Sequence, residues 1–206
     1  GVQGISWQEV TITGQSNHAG TTPMAHRHDP AFVAGAIAVF VRELAERMGP
    51  PQVATVGRIE LHPNLVNVVP ARSTLTVDLR NTSEDALQDA EAALAVRLDE
   101  LAASEGVTIE RRTLARFEPV AFDEAMVDRV ERVAASHGLT VRRMPSGAGH
   151  DAQMLARVCP TAMVFTPSVG GVSHNPAELT HDPDLEAGAN VLLDVMVELA
   201  TADSLP

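Results

Sequence analysis

A histidine, His18, stands in Gly14-Gln15-Ser16-Asn17-His18-Ala19-Gly20-Thr21-Thr22-Pro23-Met24, between a strand-like alternation and a strongly helical stretch. An imidazole among small residues at such a corner can exchange a proton or donate a hydrogen bond near neutral pH. It can equally cap a backbone group of its own turn. Asn67, in Asn64-Leu65-Val66-Asn67-Val68-Val69-Pro70, offers a donor and an acceptor at the start of a strand, as a ligand group or as a turn residue. Arg80 closes Asp78-Leu79-Arg80 at the other end of that strand. A guanidinium there can fork a carboxylate bidentately, or pair with Asp78 or Glu84.

Two further clusters lie downstream. Ser146-Gly147-Ala148-Gly149-His150-Asp151 places Gly149 and its neighbours between a strand and a helix N-terminus, where a ligand can approach backbone N–H groups. His150 reads as catalytic or as a helix cap. Ser173-His174-Asn175-Pro176-Ala177-Glu178 follows Val169-Gly170-Gly171, in the kind of loop where α/β enzymes place metal ligands. His174 alone is not a metal site, because zinc takes at least three protein ligands. Glu178 and Asp182 are candidate mates without a recognised ligand spacing. His26, His28, His62, His137 and His181 read as solvated or capping residues, and Cys159 as a core thiol. No Gly-x-Ser-x-Gly elbow and no phosphate loop occurs.

These residues need elements to hold them. Trp7–Thr13 alternates as a strand. Asp29-Pro30 opens a helix, with Val33, Ile37, Phe40, Val41, Leu44 and Met48 at helical spacing and Gly49-Pro50-Pro51 as its stop. Strands are predicted over Gln52–Leu61 and Asn67–Leu79. A second helix follows from near Ser83, after Thr82 in a capping-box-like spacing to Asp85, and ends at Gly106. Val107–Phe117 is a fourth strand. The order is βαββαβ, a ferredoxin-like four-stranded antiparallel sheet with two helices on one face. Its free face and edges make a plausible dimerisation surface. Glu118-Pro119 marks a boundary. Beyond it, helices are predicted from Asp123, from Asp151 through Val158 and from Asp182 to about Ala200, with strands over Leu139–Met144 and Ala162–Thr166. This alternation reads as α/β. Two strands are too few for an ordinary sheet, so the segment reads as the tail of a larger one.

Composition narrows the function. The 206 residues are 45% apolar with a net charge of −12. That charge argues against nucleic-acid binding, which needs basic patches. No apolar run approaches a membrane span. The single cysteine excludes an internal disulfide and fits a reducing, cytoplasmic compartment. No signal peptide is visible. The chain opens Gly1-Val2-Gln3 without a methionine, as a fragment, a processed form or a trimmed form would.

Together, GQSNHAGTTPM, NLVNVVP, VDLR, SGAGHDA and PSVGGVSHNPAE make the chain resemble the C-terminal portion of bacterial N-carbamoyl-L-amino-acid hydrolases of the hydantoinase/carbamoylase family. These belong, with allantoate amidohydrolases and β-ureidopropionases, to the metal-dependent aminoacylase and exopeptidase superfamily. The resemblance implies the end of a catalytic segment at 1–5, a lid and dimerisation domain at 6–118, and the C-terminal α/β part of a zinc-exopeptidase-like catalytic domain at 119–206. It implies His174 as a metal ligand and His18 as an oxyanion donor reaching into a neighbouring subunit. Asn67 and Arg80 would hold the substrate's α-carboxylate. Gly149 would contact substrate through its backbone, and His150 would support that loop. The implied cofactor is a pair of divalent metals, zinc or else manganese, cobalt or nickel, bridged by the attacking hydroxide. The implied reaction cleaves the carbamoyl C–N bond of N-carbamoyl-L-amino acids. The implied partners are that small molecule and a second copy of the chain in a homodimer, with neither nucleic acid nor membrane.

The other metal ligands and the general base of that superfamily have no counterpart here, so the chain is expected to be inactive alone. Allantoate amidohydrolase, or a related peptidase or aminoacylase, is the alternative enzyme. A non-catalytic dimerisation module is the alternative of another class.

Overall fold

A computed structural model describes residues 1–202, which form two compact units. The first comprises residues 3–119 and the second residues 1–2 with 120 onward.

In the first unit, β1 (Gly4–Thr13), β3 (Val53–His62), β5 (Arg72–Asn81) and β6 (Thr108–Phe117) form an antiparallel sheet of order β3-β5-β1-β6. A short pair, β2 (Asn17–His18) with β4 (Val68–Val69), stands beside it. Two helices, α1 (Pro30–Met48) and α2 (Glu84–Glu105), pack on one face of the sheet. The predicted βαββαβ order is therefore the one observed. The alternation of β5 explains the packing, since Leu75, Val77 and Leu79 are almost fully buried while Thr74, Thr76, Asp78 and Arg80 point the other way. With Val10, Ile12, Val33, Ile37, Leu44, Leu87, Leu94 and Leu98 they make one aliphatic core. The opposite face is polar. There Glu9 accepts from Arg58 of β3 and Arg112 of β6, which holds its carboxyl below the usual range, the Arg112 hydrogen bond contributing most.

Local signals behave as their chemistry requires. Asp29 caps α1 by accepting from the Ala31 and Phe32 amides. Gly106 ends α2 in the left-handed region at φ 62°. Two expectations change. The strand over Asn67–Leu79 is broken, because Pro70 has no N–H to continue a ladder, so β4 and β5 are separate elements. The cap of α2 is Ser83, whose hydroxyl accepts from the Ala86 amide, and not Thr82.

The second unit contains α3 (Glu124–Ser136), a single turn α4 (Ala152–Leu155) and α5 (Asp182–Thr201). Helices α3 and α5 pack through Val133, Ala134, Val191 and Val195. The predicted strands at 139–144 and 162–166 are not strands here. Among the described residues neither makes a ladder, and pairing is limited to bridges of Val2 with Val120 and Ser146. A strand exists only through a neighbour's hydrogen bonds, whatever its propensity. The predicted helix from Asp151 to Val158 shrinks to one turn, and Asp151 does not cap it. Cys159, expected in the core, is exposed. No helix among the described residues is long and apolar enough to cross a membrane.

Candidate functional site

His18 sits at one end of the first unit, in the β2–β4 pair, where its rung is shared with Val68. The Ala19 amide donates to the Asn67 carbonyl at 2.9 Å, so the structure brings His18 and Asn67 side by side. Both are exposed. The ring nitrogen Nδ1 of His18 accepts from the Gly20 amide at 3.0 Å and the Thr21 amide at 3.2 Å. This is the turn-cap geometry, and it leaves Nε2 facing outward.

Arg80 is not with them. On β5 it pairs with Ile5, close to where the chain enters and leaves this unit, whereas Arg72 at the other end of β5 pairs with Thr13. Eight strand residues at ~3.3 Å each put roughly 26 Å between those ends. Asn67 lies beyond Arg72, so one copy of the chain cannot set Asn67 and Arg80 on the same carboxylate. Arg80 is held rigidly. Its guanidinium donates to both Asp78 oxygens at 2.7–3.1 Å and lies 5.8 Å from the Trp7 ring centroid. The Asp78 pair is the alternative the sequence offered for Arg80; the cation–π contact was not foreseen, although Trp7 and Asp78 share a rung of the sheet.

The other candidates lie in the second unit. His150 accepts the Ala152 amide on Nδ1 at 3.0 Å and so takes the capping position expected of Asp151. Gly149 beside it is exposed. His174 occupies the left-handed region at φ 55°, the one non-glycine residue described there. That conformation costs a non-glycine residue about 1–2 kcal/mol and persists where the surroundings impose it. Here they do: the His174 amide donates to Glu178 at 2.9 Å, and Asn175 accepts from the Ala177 amide at 2.9 Å. Glu178, considered above as a metal mate, is thus occupied in shaping the loop. Among the described residues no three His, Cys, Asp or Glu side chains converge on a metal position. The described residues therefore do not by themselves make up a metal centre, and His174 can contribute at most one ligand.

One residue that sequence reasoning passed over is Arg27. Its guanidinium donates to the Ala19 carbonyl at 2.6 Å and the Thr22 carbonyl at 3.0 and 3.1 Å, tying down the loop that carries His18. An arginine shortly after a Thr-Thr-Pro turn was the available signal.

The sequence profile of peptidase family M20/M25/M40 matches residues 9–198. The chain is 40% identical over 191 residues to an allantoate amidohydrolase of Escherichia coli, covering 93% of this chain and 46% of that protein. It is 36% identical over 203 residues to an N-carbamoyl-L-amino acid amidohydrolase of Geobacillus stearothermophilus, covering 98% and 49%. Among solved structures, an amidase of the hydantoinase/carbamoylase family from Burkholderia multivorans superposes with a TM-score of 0.90 at 42% identity, covering 96% of this chain and 48% of the other. The chain thus spans about half the length of the relatives it matches.

Proposed function

The chain belongs to peptidase family M20/M25/M40, and from that premise we propose that it forms part of an amidohydrolase that cleaves the carbamoyl C–N bond of N-carbamoyl-L-amino acids. Enzymes of this family are in general metal-dependent. His174 is the ligand this chain contributes, to a metal pair of zinc, manganese, cobalt or nickel that its own residues do not complete. The remaining ligands come from the half of the relatives' length that this chain does not span. The segments at 139–144 and 162–166, strand-like in composition yet outside any ladder among the described residues, support that reading, because such segments pair where a neighbouring strand is supplied. Residues 3–119 act as the lid and dimerisation domain, and 120 onward as catalytic-domain structure. The enzyme works in the cytoplasm.

What the chain's own residues do follows from their placement. Arg80, braced by Asp78, presents its fork to the substrate carboxylate. Asn67 adds a donor from the opposite end of a neighbouring copy's sheet. His18, beside Asn67, donates from Nε2 to the oxygen that gains charge as the carbonyl is attacked. Gly149 and His150 line and support the substrate loop. The observation that carries this reading is the separation of Arg80 from His18 and Asn67 within one copy. A site using all three needs two copies of the chain, hence a homodimer.

An allantoate amidohydrolase is the second reading, favoured by the 40% identity to the Escherichia coli protein. The experiment is hydrolysis of N-carbamoyl-L-amino acids and of allantoate, by the purified 206-residue chain with each metal and by the chain joined to its missing half. Turnover by the joined protein only is expected, faster on the carbamoyl amino acids. Turnover by the chain alone would overturn the assignment of the metal ligands. Preference for allantoate would select the second reading, and no turnover by either would leave a dimerisation module.

A further inference from the structure

We infer that the loop around His18 is a tautomer lock, in which the Gly20 and Thr21 amides dictate where the ring carries its hydrogen and Arg27 is the positioning residue that holds those amides. Two backbone N–H groups point at Nδ1, at 3.0 and 3.2 Å. A backbone amide only donates, so Nδ1 must be the bare, accepting nitrogen. In a neutral imidazole the hydrogen is then on Nε2, the outward atom, which becomes a donor.

The amides have no freedom to leave. The Thr22 hydroxyl donates to the His18 carbonyl at 2.7 Å, and the Thr22 amide donates to the same oxygen at 3.2 Å, which closes the turn around the ring. From the far side, Arg27 spans the Ala19 and Thr22 carbonyls, one on each flank of the Gly20-Thr21 pair. Thr22 is buried, so this clamp is not a solvent contact. Gly20 completes the fit: a Cβ there would lie 3.3 Å from His18 Cε1 and 3.5 Å from Nδ1, close against the ring. This arrangement spends two amides and an arginine on one nitrogen.

The use of the outward N–H, as donor to a developing oxyanion, rests on the hydrolase reading above. The lock itself does not, and the two are tested separately. In the 206-residue chain with 15N-labelled imidazoles, NMR at alkaline pH reads each ring's tautomer, with His18→Ala assigning the resonance and exposed His26 as internal reference. His18 is expected to show a pyridine-like Nδ1 and a pyrrole-like Nε2, with a tautomer ratio at least about tenfold above that of His26. Arg27→Met, at an unchanged unfolding midpoint of the folded unit, is expected to bring that ratio down towards the His26 value. Arg27→Lys, a single point donor that cannot span both carbonyls, restores it only in part.

A wild-type His18 that carries hydrogen on Nδ1, or that matches His26, overturns the lock, and neither result depends on a variant folding. A lock that survives Arg27→Met removes Arg27 from the proposal. In the complete enzyme, Arg27→Met is expected to lower kcat about tenfold at an unchanged KM. A normal kcat with a scrambled tautomer would leave the lock standing and count against the oxyanion role of His18.

Discussion

Replacing Arg80 by alanine separates recognition from stability. Arg80 and Asp78 are 22% and 28% exposed at their side chains, so their ion pair is hydrated and contributes at most about 1 kcal/mol to folding. Substrate binding is another matter. On the proposed reading a substrate carboxylate held on the Arg80 fork leaves water, and truncating one partner of such a pair costs about 2–5 kcal/mol. That corresponds to a KM raised about thirtyfold to several thousandfold, with kcat changed far less. Steady-state kinetics in the complete enzyme, on a carbamoyl amino acid and on its neutral carboxamide, give the assay. The wild type should prefer the acid, and Arg80→Ala should erase the preference by weakening the acid alone. Arg80→Lys should recover little, because Asp78 already balances one charge and the fork geometry carries the recognition. An unchanged KM, or an equal loss on acid and amide, would refute the carboxylate role and leave Arg80 as a structural ion pair.

Three other outcomes follow from the same geometry. His18→Ala should lower kcat about 10²–10³-fold with little change in KM, as loss of an oxyanion donor does; near-normal turnover would return His18 to a turn cap. Glu84→Gln should weaken folding at neutral pH by less than about 1 kcal/mol, since the hydrogen bond from Arg116 holds the Glu84 carboxyl below its ordinary 4.5. The folded value is the lower one, so this contribution is full above pH 4.5 and lost as pH falls through the folded value; urea midpoints that differ equally at neutral and strongly acid pH would contradict it. Gly106→Ala should cost about 2–3 kcal/mol in urea unfolding, because φ is 62° and the new Cβ would lie 2.7 Å from His28 Nδ1, which now meets the Glu105 carbonyl.

Where a segment's structure depends on its own residues, it was legible. Asp29-Pro30 announces α1, and the alternation from Leu75 to Leu79 announces the buried face of β5. Thr82 and Ser83 offer the same hydroxyl one residue apart, and only the backbone conformation chooses between them. The segments at 139–144 and 162–166 have strand composition but no partner among the described residues, and pairing is not a local property. Cys159 follows a one-turn helix and ends in solvent. In the candidate site, residue types were readable and distances were underused. Asn67 and Arg80 are thirteen residues apart on a path that is mostly extended, which by itself forbids one shared carboxylate in one copy. The role of Arg27 was hidden because its partners are backbone carbonyls, which carry no side-chain signature.

The shared site is tested most directly by mixing the His18→Ala and Arg80→Ala forms of the complete enzyme, both nearly silent at substrate far below the raised KM of the second, and allowing subunits to exchange. Each mixed dimer then holds one site with both residues intact and one with neither, so an equal mixture should recover about a quarter of the wild-type rate. A mixture that stays as inactive as its parents would contradict a site built from two copies.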